Sequence, residues 1–92
     1  MKKIWKYEIH CDSILDGFHF IDILAPAGAR PLCVMAQGRS VFVWMEVDTL
    51  QQQKEKVRFC CVGTGHGCVP TGMKYFGSVF VDPYVWHLYW QE

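Results

Sequence analysis

The chain has 92 residues, 51% of them apolar, and its 9 Lys and Arg residues balance 9 Asp and Glu residues. This length and composition predict one domain over residues 1–92 with a packed core, and they argue against a disordered chain. The neutral balance argues against a domain-wide basic field for nucleic acid, and no apolar run approaches the ~20 residues that cross a bilayer. We therefore expect a cytoplasmic protein with no membrane partner.

Short stretches of alternating apolar and polar residues predict about seven β-strands. In the first stretch Trp5, Tyr7 and Ile9 share one face, and Asp16-Gly17 then predicts a hairpin turn, because glycine supplies the positive φ of tight turns. No segment sustains a helical period, so we expect an all-β fold, either a small antiparallel sandwich or an open barrel. The predicted strands are residues 3–9, 18–24, 32–37, 41–48, 56–62, 74–82 and 84–90.

The fourth strand has two apolar faces. Its odd-numbered residues from 41 to 47 line one face, and Phe42 and Trp44 lie on the other. This pattern predicts a central strand, with a surface kept apolar for a partner as the alternative. We expect Trp5 and Trp44 to be core residues, whereas Trp86 and Trp90 are candidates for a partly exposed patch.

Residues 49–56 form the only polar run, which predicts a solvated loop or one helical turn. The fifth strand follows and ends at a glycine-rich run, whose backbone N–H groups could approach an anion. This run lacks the Lys-Ser/Thr pair of a Walker loop and the helix of a dinucleotide fingerprint. We expect a tight connection here, with an anion-binding loop as the alternative. The residues are Gly63, Thr64, Gly65, His66 and Gly67.

Five cysteines at irregular spacing are a poor disulfide framework and indicate a reducing compartment. We expect Cys33, Cys60 and Cys61 to be reduced, buried and slow to react, because they lie in apolar runs and burial raises the pKa of a thiol. Two candidate zinc pairs are spaced more closely than the ligand pairs of structural zinc sites, so neither metal nor cofactor is expected. These pairs are His66 with Cys68 and His10 with Cys11.

A catalytic histidine needs a nucleophile or carboxylate partner, and the sequence assigns none to His66. We therefore predict that the protein is not an enzyme. Recognition is expected on residues 51–58 and 64–74, because loops on a rigid β scaffold carry binding residues. Their cations suit acidic protein patches or phosphates. The predicted partner-binding residues are Lys54, Lys56, Arg58, Lys74, Trp86 and Trp90.

Four stretches together resemble a family of short phage and prophage proteins of unassigned function. The similarity covers most of the chain, and the Val-Gly-Thr-Gly-His run at residues 62–66 is its most specific part. The second strand and the loop around Pro70 depart from the family pattern. The stretches are residues 3–8 (Lys-Ile-Trp-Lys-Tyr-Glu), 44–48, 58–66 and 85–88.

The resemblance implies a phage-borne protein in the cytoplasm of an infected bacterium. Small phage proteins without a catalytic motif often block a host defence complex, as anti-CRISPR proteins do. By this analogy we expect a non-catalytic inhibitor, a monomer or small homo-oligomer, that binds a CRISPR effector or surveillance complex through its protein or guide-RNA phosphates. The alternatives are a nucleotide-binding protein that sequesters an immune signal and an accessory structural or regulatory phage protein.

Overall fold

The computed structural model describes residues 1–11, 18–65 and 68–92, and every regular element in them is a β-strand. The seven predicted strands are confirmed, with ends that shift by at most two residues. No helix in this part of the chain could span a membrane. The strands are β1 (Lys2–Ile9), β2 (Phe18–Pro26), β3 (Arg30–Gln37), β4 (Ser40–Asp48), β5 (Lys54–Gly63), β6 (Lys74–Val81) and β7 (Tyr84–Trp90).

The strands form two antiparallel sheets, with the orders β1-β4-β3 and β2-β5-β7-β6. The sheets pack against each other without closing into a barrel. Of the two predicted architectures, the sandwich is therefore confirmed. The predicted hairpin between the first two strands is wrong, because β1 pairs with β4 and β2 pairs with β5 in the other sheet. Residues 12–17, where its turn was predicted, lie outside the described residues.

The core lies between the inner faces of the two sheets. Met45 on β4, Phe59 on β5 and Leu88 on β7 are fully buried there, and burial of each such side chain stabilises the fold by about 1.5–3 kcal/mol. Trp5 and Trp44 are not among these core residues, so their predicted core positions are wrong. Trp5 is 40% exposed because its strand β1 is at a sheet edge, and Trp44 lies half-buried beside Phe42 on the outer face of β4.

The polar run divides into a connection and the start of a strand. Its residues 49–53 connect β4 to β5, but Lys54 and Lys56 already belong to β5 and pair with Pro26 and Leu24 of β2. The predicted loop or helical turn is therefore wrong for residues 54 and 55, whereas residue 56 lies in a strand, as the predicted fifth strand required. Alternation explains the difference, because these lysines point away from the core while Val57 points into it.

The cysteines lie in contrasting environments. Cys60 and Cys61 are fully buried, as predicted, but Cys33 is exposed, so its predicted burial is wrong. Cys33 pairs with Trp44 just after a register shift in β3, on the outer face of the three-stranded sheet. Burial raises the pKa of Cys60 to about 11. The pKa of Cys61 is also raised, by a hydrogen bond with Cys11 and by burial.

The two sheets approach each other closely at Gly77 on β6. A Cβ atom there would lie 2.8 Å from Val34 Cγ1 on β3. We expect Gly77→Ala to destabilise the fold, because overpacking costs about 1–3 kcal/mol, more than the 0.4–1 kcal/mol that this exchange can gain through the unfolded chain. Urea unfolding of G77A, V34A and the double variant measures this effect. Fully additive losses in the double variant would contradict the contact.

We expect a thiol reagent at pH 8 to modify Cys33 and Cys68 quickly and Cys60 and Cys61 slowly. The first two are exposed, whereas Cys60 is buried and remains protonated with its pKa raised from 9.0 to about 11. A time course by intact-mass spectrometry, with a urea-unfolded control, measures the rates.

The same pKa shift predicts how stability depends on pH. Because the folded-state pKa of Cys60 exceeds the unfolded value of 9.0, its contribution to stability is complete below pH 9 and declines as the pH rises through about 11. Equally fast labelling of Cys33 and Cys60 in the folded protein would contradict both expectations.

Candidate binding face of the four-stranded sheet

The two faces of β5 have different roles. Val57, Phe59 and Cys61 point into the core, so the even-numbered residues point to the outer face of the four-stranded sheet. Residues paired across neighbouring strands share a face, which identifies the others. The outer face thus carries Phe20, Asp22, Leu24, Lys54, Lys56, Arg58, Cys60, Val62, Tyr75, Ser78, Phe80, Val85, His87 and Tyr89.

A row of four cross-strand partners, three of them aromatic, crosses this face and is called the aromatic row. Phe20, Cys60, Tyr89 and Tyr75 are successive cross-strand partners on β2, β5, β7 and β6. Phe20 is 49% exposed and Tyr75 is 55% exposed. The rings of Tyr75 and Tyr89 meet edge to face at 5.5 Å between centroids. The row therefore spans the sheet, about 14 Å across three strand spacings, with a half-exposed ring at each end.

Arg58 is held at one end of the row. Its Nε and Nη2 donate to the two carboxylate oxygens of Asp22 at 2.8 and 3.1 Å. Its guanidinium carbon lies 4.9 Å from the centroid of the Phe20 ring. The hydrogen bonds from Arg58 lower the pKa of Asp22, and they raise the pKa of Arg58 itself. This fork geometry orients Arg58 against Phe20, although an exposed ion pair adds little stability.

The other predicted cations lie in two places. Lys54 and Lys56 are exposed on the outer face, near the start of β5. Lys74 is exposed on the edge strand β6 opposite Trp90, and therefore off this face. No ion pair joins these three lysines to any residue within the described ranges. The structure thus brings Lys54, Lys56 and Arg58 together and leaves Lys74 apart.

The two C-terminal tryptophans lie on the opposite side of β7. Trp86 pairs with Gly63, Trp90 pairs with Phe59, and both are half-buried against the core. Both tryptophans are partly exposed, as predicted from the sequence. They do not share a face with the cations, so the predicted partner-binding residues do not form one surface.

A chain of hydrogen bonds runs along the outer face at His87. Its Nε2 lies 2.7 Å from Thr64 Oγ1, and its Nδ1 lies 2.7 Å from Ser78 Oγ, which lies 2.6 Å from Tyr75 Oη. The Thr64 hydroxyl donates to Val85 O at 3.4 Å. Thr64 Oγ1 therefore accepts from Nε2–H, and Nδ1 accepts from Ser78. Both ring nitrogens are engaged, which fixes the imidazole beside the aromatic row.

A depression of about 250 Å³ lies between the hydrogen-bond chain at His87 and the glycine-rich turn. Val62, Tyr89 and His87 line it from the sheet, and Thr64 and Val69 line it from the connection that follows β5. Gly63 and Gly65 of the predicted anion loop also line it, whereas His66 and Gly67 lie outside the described residues. This volume is below the ~300–1,000 Å³ of typical ligand pockets, so the depression can hold no more than a single small chemical group.

This face offers hydrogen-bonding, aromatic and cationic side chains. Ser78 Oγ lies within hydrogen-bond distance of His87 Nδ1, and the imidazole also bonds Thr64, so Tyr75, Ser78, His87 and Thr64 form one continuous hydrogen-bond chain. Within the described residues, no group of three or more His, Cys, Asp or Glu side chains could hold a metal ion. The aromatic rings of this face provide stacking surfaces, and Lys54 and Lys56, which form no ion pair among the described residues, provide positive charge farther along β5.

Sequence reasoning missed His87, Ser78, Tyr75 and Phe20 as members of one site. The alternation of β7 placed His87 and Tyr89 on a common face. It did not indicate that β6 would lie on one side of β7 and β5 on the other. Strand order was the missing information.

Comparison with known proteins identifies the family of this chain but not its activity. Its residues 1–92 match the model of DUF7352, a domain of unknown function. The chain therefore belongs to the DUF7352 family. No solved structure matches it at a significant level.

We expect His87, when neutral, to carry its proton on Nε2, because Thr64 accepts from that nitrogen while Ser78 donates to Nδ1. Long-range ¹H–¹⁵N correlation spectra distinguish the two tautomers. Thr64→Val should remove the preference for the Nε2–H tautomer. Thr71→Val is the control, because Thr71 is an exposed threonine that is not a member of the hydrogen-bond chain. A proton found on Nδ1 in the parent protein would contradict this direction of the hydrogen bonds.

Proposed function

For this member of the DUF7352 family, we propose a non-catalytic binding function. The protein blocks a partner through the outer face of its four-stranded sheet. The observation that carries the proposal is the coexistence on this face of exposed rings, Phe20, Tyr75 and Phe80, with Lys54 and Lys56, which form no ion pair with any described residue. Exposed aromatic and cationic side chains grouped on one rigid sheet are typical of interaction surfaces.

The outer face of the three-stranded sheet is a weaker candidate, because its cations are already engaged. Lys2 and Arg30 lie 3.7 and 4.0 Å from Glu46 Oε1. Lys6 Nζ lies 4.6 Å from the Phe42 ring centroid and donates to Gln37 Oε1 at 3.1 Å. A partner would have to displace these contacts. A partner that binds Lys54 and Lys56 has no ion pair to displace within the described part of the chain.

The partner that we propose is a bacterial immune complex. The resemblance to short phage and prophage proteins supports a phage-encoded inhibitor that acts in the cytoplasm of an infected bacterium. A CRISPR effector or surveillance complex suits the face, because such ribonucleoproteins offer both acidic protein patches and RNA phosphates to lysine side chains. In this reading the protein is an anti-CRISPR protein that inhibits by occupying a surface and uses no cofactor.

A second candidate function is nucleotide binding. It is favoured by the depression between the glycine-rich turn and Tyr89, where Gly63, Gly65 and the His87 chain meet. A base could stack on Tyr89 while backbone N–H groups approach a phosphate. The protein would then sequester a signalling nucleotide. Its small volume makes this the weaker proposal, because a complete nucleotide exceeds what the depression encloses.

We expect charge reversal at Lys54 and Lys56 to weaken inhibition at least about tenfold, equivalent to about 1.4 kcal/mol of binding. The assay measures plaque formation by a CRISPR-targeted phage on bacteria that express the protein, across a panel of CRISPR systems. Lys54→Glu/Lys56→Glu should retain the parent melting temperature, because both side chains are exposed. Lys74→Glu should have a smaller effect, because Lys74 lies off the face.

The matched control is Lys3→Glu/Arg39→Glu, which reverses an exposed cation on β1 and another in the turn between β3 and β4. Equal loss in both double variants would reject the face. If the protein restores plaque formation in none of the CRISPR systems, the inhibitor function is rejected and an accessory phage role is favoured. If Thr64→Val abolishes activity while the lysine variant retains it, nucleotide sequestration replaces surface blocking.

A further inference from the structure

We propose that the outer face of the four-stranded sheet binds single-stranded RNA by stacking bases on its aromatic row. This inference rests on the proposed function, because it names the chemical class of partner for the same face. Its starting point is geometry: Phe20 and Tyr75 are half-exposed rings at the two ends of a row that crosses four antiparallel strands. An open sheet that displays rings in this way stacks unpaired bases, whose π-faces need no particular sequence.

The charges on the face suit a phosphate backbone. Lys54 and Lys56 are free of ion pairs among the described residues, and Asp22 is the only acid on the outer face there. Arg58 offsets Asp22, since it binds both carboxylate oxygens. The lysines lie about four to six residues along β5 from the row, some 14–20 Å at the rise of a strand. A strand of RNA stacked on the rings can therefore extend along β5 toward these cations.

The occupant is better described as RNA than as an acidic protein. An acidic protein patch would satisfy the lysines and pack on the rings, but single-stranded RNA in addition offers 2′-hydroxyl groups to the hydroxyl chain beside the rings. Tyr75 Oη and Ser78 Oγ keep lone pairs after bonding each other, so either can accept from a ribose 2′-hydroxyl. The depression beside Tyr89 is of a size for one small group, which suits a single splayed base.

Duplex nucleic acid fits this face less well. Bases in a duplex are already stacked on each other, so the rings could not reach their π-faces. We therefore expect affinity in the order single-stranded RNA, single-stranded DNA, duplex.

Fluorescence anisotropy with an unstructured 12-nucleotide RNA, its DNA counterpart and the duplex tests the proposal. We expect saturable binding of the RNA. Tyr75→Ala and Phe20→Ala should each weaken it about 5- to 150-fold, the range for loss of one stacked base. Tyr75→Phe keeps the ring and should bind better than Tyr75→Ala. Tyr84→Ala is the matched control, because Tyr84 is 57% exposed but belongs to the turn end of β7, off the row.

Salt dependence tests the cations separately. Lys54→Gln/Lys56→Gln should reduce the slope of log K against log salt concentration by about 1.4, because each phosphate contact to a single strand contributes about 0.7. An absence of saturable RNA binding would overturn the inference, and so would DNA binding that equals RNA binding. Losses in Tyr75→Ala no larger than those in Tyr84→Ala would also overturn it.

The outcomes separate this inference from the proposed function. If free RNA is not bound but Lys54→Glu/Lys56→Glu still loses inhibition, the RNA inference fails and a protein partner takes its place. If RNA is bound as expected but no CRISPR system is inhibited, the inhibitor function fails and the RNA-binding face stands.

Discussion

The alternation of side chains along β5 is the constraint on which both the core and the candidate site depend. Val57, Phe59 and Cys61 fill the space between the sheets, so their neighbours Arg58 and Cys60 must face outward. A slip of one residue would exchange the two sets and place charged side chains in the core. Core packing therefore fixes the register that positions the cations beside the aromatic row.

The central strand position of β5 explains why a small domain can hold such a face rigid. It pairs with β2 on one side and β7 on the other, and β6 completes the sheet. The outward Cys60 is fully buried between Phe20 and Tyr89 in the row, so these flanking strands are held at fixed spacing. Loops are not required to order the row, because each of its members belongs to a strand.

The outer faces of the two sheets differ in how their charges are used. On the three-stranded sheet Glu46 holds Lys2 and Arg30, while Lys6 covers Phe42, so charge there stabilises the fold or shields apolar surface. Among the described residues of the four-stranded sheet, only Arg58 is held in this way, by Asp22. The charges on the outer face of the three-stranded sheet are thus engaged, whereas Lys54 and Lys56 on the other outer face form no ion pair among the described residues.

Alternation and turn residues in the sequence by themselves determined the seven strands, the all-β class and the burial of Cys60 and Cys61. Only the tertiary structure decided which strands pair, because antiparallel partners are selected by packing between sheets and not by local pattern. For this reason the sequence misplaced Trp44 in the core and grouped Trp86 and Trp90 with the cations, although they face the core from β7. It also could not bring His87 to Thr64 and Ser78, which come from three different parts of the chain and meet only because β7 lies between β5 and β6.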